Sequence, residues 1–129
     1  MVIRVDFNSD EALYSQLCNQ IIMGIASSTI QEGENLPSVR ELADDIGINM
    51  HTVNKAYSIL KQEGYLKVDR RKGAVISLDV NSYKAHVELM EALSVVLARA
   101  ACKNISRQEV HEAVDKIYDS FETDKEIKE

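Results

Sequence analysis

Residues 36–76 of the chain read LPSVRELADDIGINMHTVNKAYSILKQEGYLKVDRRKGAVI. Ser38 and Glu41 have the spacing of a capping box, in which a hydroxyl and a carboxylate hydrogen-bond to amides of the first helical turn. Gly47 follows some residues later and suits the left-handed conformation at the end of a helix. We therefore predict a short helix that starts after Ser38 and ends at Gly47.

A second short helix follows after a connection of only a few residues. Asn49 belongs to the residue types that cap helix N-termini well. After it, the apolar residues Val53, Tyr57 and Leu60 recur at helical spacing, so we expect a helix over residues 50–63. Two short helices joined by a tight turn are typical of a helix-turn-helix.

The end of the stretch has the composition of a β-hairpin. Residues 65–68 and 74–78 are rich in β-forming side chains, and residues 69–73 between them end in Gly73, which suits a hairpin turn. An isolated hairpin is marginal in water, so this one needs the helices to pack on. We predict a two-stranded wing beside the helix-turn-helix.

Helical periodicity returns on both sides of this stretch. Residues 11–26 carry a wide apolar stripe, and two further apolar stripes follow after Ser82 and after a second capping box at Ser106 and Glu109. The predicted fold class is α+β and mostly helical: a winged helix-turn-helix followed by a short two-helix dimerisation tail. We place the boundary so that residues 1–78 form the first domain and residues 79–129 the tail.

The two tail helices cannot bury their apolar stripes within one chain, so we expect a second copy to cover them. A cofactor pocket is the less favoured interpretation of the same stripes, and we expect no cofactor. The side chains predicted for the dimer interface are Met90, Leu93, Val96, Leu97, Val110, Val114, Ile117 and Phe121.

Charge is distributed unevenly along the 129 residues, whose formal net charge is −6. Residues 36–73 carry seven basic and five acidic side chains, whereas residues 79–129 carry seven basic and eleven acidic ones. We expect Cys18 and Cys102, which lie within apolar helical patterns, to be buried thiols. The chain begins with no signal-peptide pattern and has no apolar run of about 20 residues, so we expect a cytoplasmic protein without a membrane partner.

The central stretch resembles the N-terminal signature of the GntR family of bacterial transcription regulators. The residues that carry the resemblance are LPSVRELA, a short turn, TV-x-KAY, a leucine, and a G-Y-L strand leading to a glycine-tipped wing. The short helical tail is similar to that of the YtrA-like subfamily. The resemblance implies a regulator that binds double-stranded operator DNA as a homodimer. Whether a small-molecule effector of unknown identity also binds is left open by the sequence.

The resemblance places the DNA contacts at three points: the start of the first motif helix, the start of the second, and the wing. Independently, Asn, Thr, Arg and Lys side chains suit base edges and phosphates, and a helix N-terminus attracts phosphate. The predicted DNA-binding residues are Ser38, Arg40, Asn49, His51, Thr52, Asn54, Lys55, Arg70, Arg71, Lys72 and Gly73. An arginine-rich recognition helix, as in other branches of the family, is absent because Met50 and Asn54 stand at those points.

Each of these features also has a purely structural interpretation. Arg40 has the spacing for an ion pair with Asp44. His51 can equally be a solvated helix residue. The basic run before Gly73 can be a solvated turn. His86 and His111, with Glu88 or Asp115 nearby in sequence, lack the compact spacing of metal ligands, so we expect no metal site. If an effector binds, the junction near Tyr83 and His86 is where we expect it.

The favoured function is therefore a sequence-specific DNA-binding regulator, and a repressor in particular. The alternative is a winged-helix module that binds another protein without specific DNA binding. We expect no enzyme activity, because the sequence shows no nucleophile–base pair, phosphate loop or metal cluster.

Overall fold

A computed structural model describes residues 2–128 of the chain, with side chains for residues 2–122. The elements in chain order are α1 (Leu13–Ala26), α2 (Val39–Ile46), α3 (Met50–Gln62), β1 (Leu66–Asp69), β2 (Gly73–Ile76), α4 (Ser82–Cys102) and α5 (Arg107–Lys128). The predicted fold class is confirmed: three helices and a hairpin form a winged helix-turn-helix, and two helices follow. We call α1 to β2 the winged domain, and α4 with α5 the tail.

The helix-turn-helix owes its shape to local capping, as predicted. The hydroxyl of Ser38 accepts a hydrogen bond of 3.1 Å from the amide of Glu41 at the start of α2. Gly47 ends that helix at φ +78°, a conformation that glycine adopts without a steric penalty. Two residues later, the Asn49 side chain accepts a 2.7 Å bond from the amide of His51 and starts α3. The turn between the helices is therefore fixed by residues within it.

The core of the winged domain lies where α1, α3 and the wing meet. The six largest side chains that are essentially inaccessible to water are Leu17, Ile21, Val53, Leu60, Leu66 and Ile76. The core contains residues from every element of the winged domain and none from the described side chains of the tail; the last residue that packs against it is Leu78. Burial of these apolar side chains is the main stabilising contribution to the domain.

The wing has more support than the sequence suggested. β1 pairs antiparallel with β2, with Leu66 opposite Ile76. The segment before α2 runs along the other edge of β2: the amide of Leu36 donates to the carbonyl of Ala74, and the amide of Ile76 donates to that of Glu34, both at 2.9 Å. The hairpin is thus backed by a third extended segment, which helps to hold it against the helices.

Two glutamines of α1 hold the N-terminal segment in place. The side-chain amide of Gln16 accepts from the amide of Asp6 at 2.8 Å and donates back to its carbonyl at 3.0 Å. Gln20 makes the same pair of bonds with Arg4. The glutamines therefore bond to the segment as a neighbouring β-strand would, and Ile3 and Val5 pack against the core.

In the single chain, the described side chains of the tail are exposed or half-buried. Asn81 caps α4 by accepting from the amide of Lys84, and no residue of α4 is buried. Cys102 is exposed, so the prediction of a buried thiol was wrong there, because the end of α4 lies outside the hydrophobic core; Cys18 belongs to that core and is buried as predicted. Within residues 2–128, no helix combines the length and apolar character needed to cross a membrane.

Candidate nucleic-acid interface

The N-terminus of α2 presents Ser38 and Arg40 to solvent. The hydroxyl of Tyr57, on α3, donates a 2.8 Å hydrogen bond to the carbonyl of Pro37 and so ties the start of α2 to α3. Burial, and then the nearby charge of Glu41, raise the pKa of Tyr57 well above its usual range, so it stays a hydrogen-bond donor. Among the described side chains Arg40 forms no ion pair within 4.0 Å, which disfavours its pairing with Asp44.

The start of α3 brings Asn49, His51 and Thr52 together. Asn49 and His51 are exposed, whereas Thr52 is half-buried. The amide oxygen of Asn49 is already used in capping α3, so its NH₂ group is the part left for another partner. The positive end of the helix dipole of α3 lies at this first turn, which suits an anionic ligand.

A cleft separates α3 from the wing and contains three of the predicted residues. Ser38, Asn54 and Gly73 line it, together with Ser58 and Lys61 further along α3. In the described part of the chain no hydrogen bond engages the amide of Asn54, so both of its ends are available. Sequence reasoning missed Ser58 and Lys61, although they follow Asn54 at the i+4 and i+7 positions that share one helix face.

Lys55 faces a different direction from this cleft. Its ammonium nitrogen Nζ lies 3.9 Å from the centre of the Tyr14 ring on α1, a cation–π contact. Such contacts contribute about 0.5–1 kcal/mol at exposed sites. The predicted contacts on α3 therefore divide into two faces, with Asn54 towards the wing and Lys55 towards α1.

The wing tip, residues 70–72, carries three exposed basic side chains: Arg70, Arg71 and Lys72. The carboxylate of Asp69 accepts hydrogen bonds from the backbone amides of Arg71 at 2.7 Å and Lys72 at 3.2 Å. These two bonds are the main reasons that the pKa of Asp69 is lowered from its ordinary value. Gly73 then enters β2 at φ +79°, a conformation that disfavours other residues.

The junction between the winged domain and the tail contains a cleft. It is lined by residues of the turn after α3 and of the start of α4, including Gly64, Leu78, Asp79 and Lys84. Tyr83 and His86 do not line it. Within the described part of the chain, no three His, Cys, Asp or Glu side chains lie close enough together to hold a metal ion.

Comparison with known proteins identifies this arrangement. The family described as bacterial regulatory proteins, gntR family, matches residues 13–76. A solved structure of YtrA from Sulfolobus acidocaldarius, described as a GntR-family transcription factor, is 35% identical with a TM-score of 0.58; the similarity covers 92% of this chain and 97% of that one. The chain belongs to the GntR family.

The similarity extends beyond the winged domain into the tail. The HTH-type transcriptional repressor YtrA of Bacillus subtilis (strain 168) is 29% identical over 119 residues, which are 90% of this chain and 92% of that protein. A crystal structure described as a transcriptional antiterminator from Listeria monocytogenes EGD-e has a TM-score of 0.83 and 25% identity, covering 94% of this chain and 92% of that one. The resemblance to the YtrA-like members is thereby confirmed.

Membership of this family settles the broad class of function. Its relatives are named as transcriptional regulators and not as enzymes, and this GntR-family protein is a DNA-binding transcriptional regulator with a winged-helix fold. The exposed starts of α2 and α3, the cleft and the wing tip are the parts of the molecule available for that role.

Proposed function

We propose that this GntR-family protein is a repressor that binds an inverted-repeat operator as a homodimer. The observation that carries the proposal is the exposed apolar surface of the tail. Met90, Val96 and Ile117 are 52%, 56% and 53% exposed. Such a surface is costly to leave in water, and a second copy of the same tail is the partner that the symmetry of an inverted repeat requires.

The tail offers the second copy a wide surface rather than a narrow stripe. Val95 lies about 200° around the α4 axis from Leu93 and from Leu97, since each residue turns the helix by about 100°. Val95 and Leu89 are 55% and 53% exposed, and neither was among the predicted interface residues. A helix that is apolar on opposite sides is stable only when it is covered on both. We therefore place α4 at the centre of the dimer, with residues 79–129 as the dimerisation domain.

The predicted interface residues differ in how exposed they are in the single chain. Those that we propose the partner covers most are Met90, Val96, Leu97, Val114 and Ile117, while Leu93, Val110 and Phe121 are half-buried already. Tyr118 packs edge-on against Phe121, with 6.1 Å between ring centres. Aromatic pairs of this kind stabilise interfaces beyond their buried area.

We propose residues 1–78, which include the winged domain, as the DNA-binding domain, and we assign the DNA contacts of its side chains by their chemistry. The start of α3 and the cleft, with Asn49, His51, Thr52 and Asn54, enter the major groove, where amide side chains can pair with adenine. Ser38, Arg40 and Lys55 contact phosphates, and the basic wing tip contacts the backbone or the minor groove beside it. The dimer acts in the cytoplasm and represses by occluding the polymerase. The role of repressor agrees with the name of the Bacillus subtilis relative.

A salt titration of DNA binding tests the proposal against the alternative of a protein-binding module. Binding of the full chain to the DNA upstream of its own gene is expected to weaken steeply with salt, because each neutralised phosphate releases counterions. Arg40→Ala is expected to lower the affinity by about tenfold, as removal of a charge-assisted bond implies. Lys103→Ala removes the same charge from the turn between α4 and α5 and serves as the matched control.

Three results would count against the proposal. A flat salt response, or equal binding to upstream and random DNA, contradicts specific DNA binding and favours the protein-binding module. Equal affinities for Arg40→Ala and Lys103→Ala contradict the placement of the interface, even if DNA binding itself is observed.

A further inference from the structure

Asp69 is an unexpected residue to find beside the proposed DNA contacts of the wing. DNA attracts proteins mainly through its phosphates, and a carboxylate next to three basic side chains weakens that attraction. Asp69 is exposed and ends β1 immediately before Arg70. On charge alone, this position would be better occupied by a neutral residue.

The hydrogen bonds of the wing suggest why a carboxylate is there. Asp69 accepts from the amides of Arg71 and Lys72, which curls the three residues of the wing tip around its side chain. On the other side, the side-chain amide of Asn35 donates to the carbonyl of Lys72. The backbone of Lys72 is thus held at its amide by Asp69 and at its carbonyl by Asn35.

Asn35 also connects the wing tip to the rest of the interface. It forms a β-bridge with Val75 and lies only three residues before Ser38, the cap of α2. The segment that contains Asn35 and bonds to the wing tip is therefore continuous with α2, the helix that carries Arg40. Through it, the position of the wing tip is set relative to α2.

We propose that Asp69 and Asn35 are positioning residues that hold Arg71 and Lys72 where they can contact DNA at the same time as Arg40. This inference rests on the proposed role of the wing tip in DNA binding. It assigns no DNA contact to Asp69 or Asn35 themselves. The hydrogen bonds to Asp69 also explain the lowered pKa of its carboxyl.

Two substitutions with the same charge change separate position from electrostatics. Asp69→Asn and Asp69→Ala each remove one negative charge, but only asparagine keeps an oxygen that can accept from the amides of residues 71 and 72. We expect Asp69→Asn to bind upstream DNA at least as tightly as the unaltered protein. We expect Asp69→Ala to bind about tenfold more weakly than Asp69→Asn, because alanine loses both hydrogen bonds to the backbone amides and each such bond contributes modestly. Asn35→Ala removes the hydrogen bond to the carbonyl of Lys72 and is likewise expected to weaken binding to upstream DNA.

The salt dependence of binding shows whether the weaker affinity arises through the basic side chains. For every phosphate that the protein no longer neutralises, the slope of log K against log salt becomes shallower by about 0.9. We expect a shallower slope for Asp69→Ala and an unaltered one for Asp69→Asn. In an Arg71→Ala, Lys72→Ala background, Asp69→Ala is expected to weaken binding no further, as for residues that act through one another.

The outcomes distinguish the positioning role from the proposed wing contact. If Asp69→Ala and Asp69→Asn both strengthen binding equally, Asp69 acts only as a charge and the inference is wrong. If Asp69→Ala lowers affinity equally in the Arg71→Ala, Lys72→Ala background, its effect does not pass through the wing tip and the inference is also wrong. If that background alone binds normally, the wing does not contact DNA, and the proposed function is wrong on this point. Thermal unfolding of each variant confirms that it is folded.

Discussion

Single side chains set the geometry of this interface before any DNA is present. Tyr57 joins the two motif helices through its bond to the carbonyl of Pro37, and Tyr14 holds the ammonium of Lys55 against α1. Asn49 uses its amide oxygen to cap α3. Lys55 and Asn49, which the sequence suggests as DNA contacts, therefore also make contacts within the folded chain.

Tyr57 gives the clearest prediction at the scale of a residue. Tyr57→Phe keeps the buried ring but leaves the carbonyl of Pro37 without its donor. We expect the free energy of unfolding to fall by about 1 kcal/mol, the net contribution of a typical hydrogen bond. Chemical denaturation measures this change. Tyr65→Phe, a half-buried tyrosine whose hydroxyl forms no hydrogen bond among the described residues, is the control, and an equal effect of both changes would contradict this role for Tyr57.

Residue contacts that depend on distant parts of the chain were beyond sequence reasoning. The capping roles of Ser38 and Asn49 were predictable because cap and helix are neighbours in sequence. The contact between Lys55 and Tyr14 joins residues far apart in the chain, and the bonds of Gln16 and Gln20 join side chains to backbone. No periodicity or spacing rule contains information about such pairs.

Among the elements, the helices were predictable to within a few residues and the wing in outline. Apolar periodicity locates helices well because one face must be buried. The third extended segment behind the wing was missed, because residues 33–36 have the composition of a loop and bond to β2 only in the folded chain. The wing is accordingly better anchored than an isolated hairpin.

Gly73 provides a test of the wing as an element. A Cβ at this position would meet no atom within 4 Å, so any penalty for Gly73→Ala comes from the backbone conformation alone. We expect Gly73→Ala to lower the free energy of unfolding by about 1 kcal/mol and Gly73→Asn to lower it less, because asparagine tolerates a positive φ. Thermal or chemical denaturation compares the two, and an alanine variant as stable as the unaltered protein would show that the wing turn adjusts freely.

At the scale of the whole molecule, charge and apolar surface are divided between two parts. The segment with the proposed DNA contacts is weakly basic, whereas the tail is acidic and exposes apolar helices. Weak electrostatic attraction makes a single winged domain a poor ligand for DNA. The proposed pairing of two winged domains would make the second DNA contact intramolecular and so raise the overall affinity.

Removing the tail separates the contribution of a single winged domain to DNA affinity from the contribution of pairing. The core of the winged domain ends at Ile76 and Leu78 is the last residue that packs against it, so a chain of residues 1–78 is expected to fold. We expect that fragment to be a monomer with strongly reduced affinity for upstream DNA, while the full chain is a dimer. The full-length chain with Lys103→Ala is the control for a change in the tail that leaves its apolar faces intact.

The mass of the complex on upstream DNA tests the central claim most directly. Analytical ultracentrifugation of the full chain at saturation is expected to show two copies on one duplex, as the two half-sites of an inverted repeat require. Under the same conditions the fragment of residues 1–78 is expected to bind weakly and without pairing. One full-length copy per duplex, or a fragment that binds as a pair as tightly as the full chain, would contradict the account.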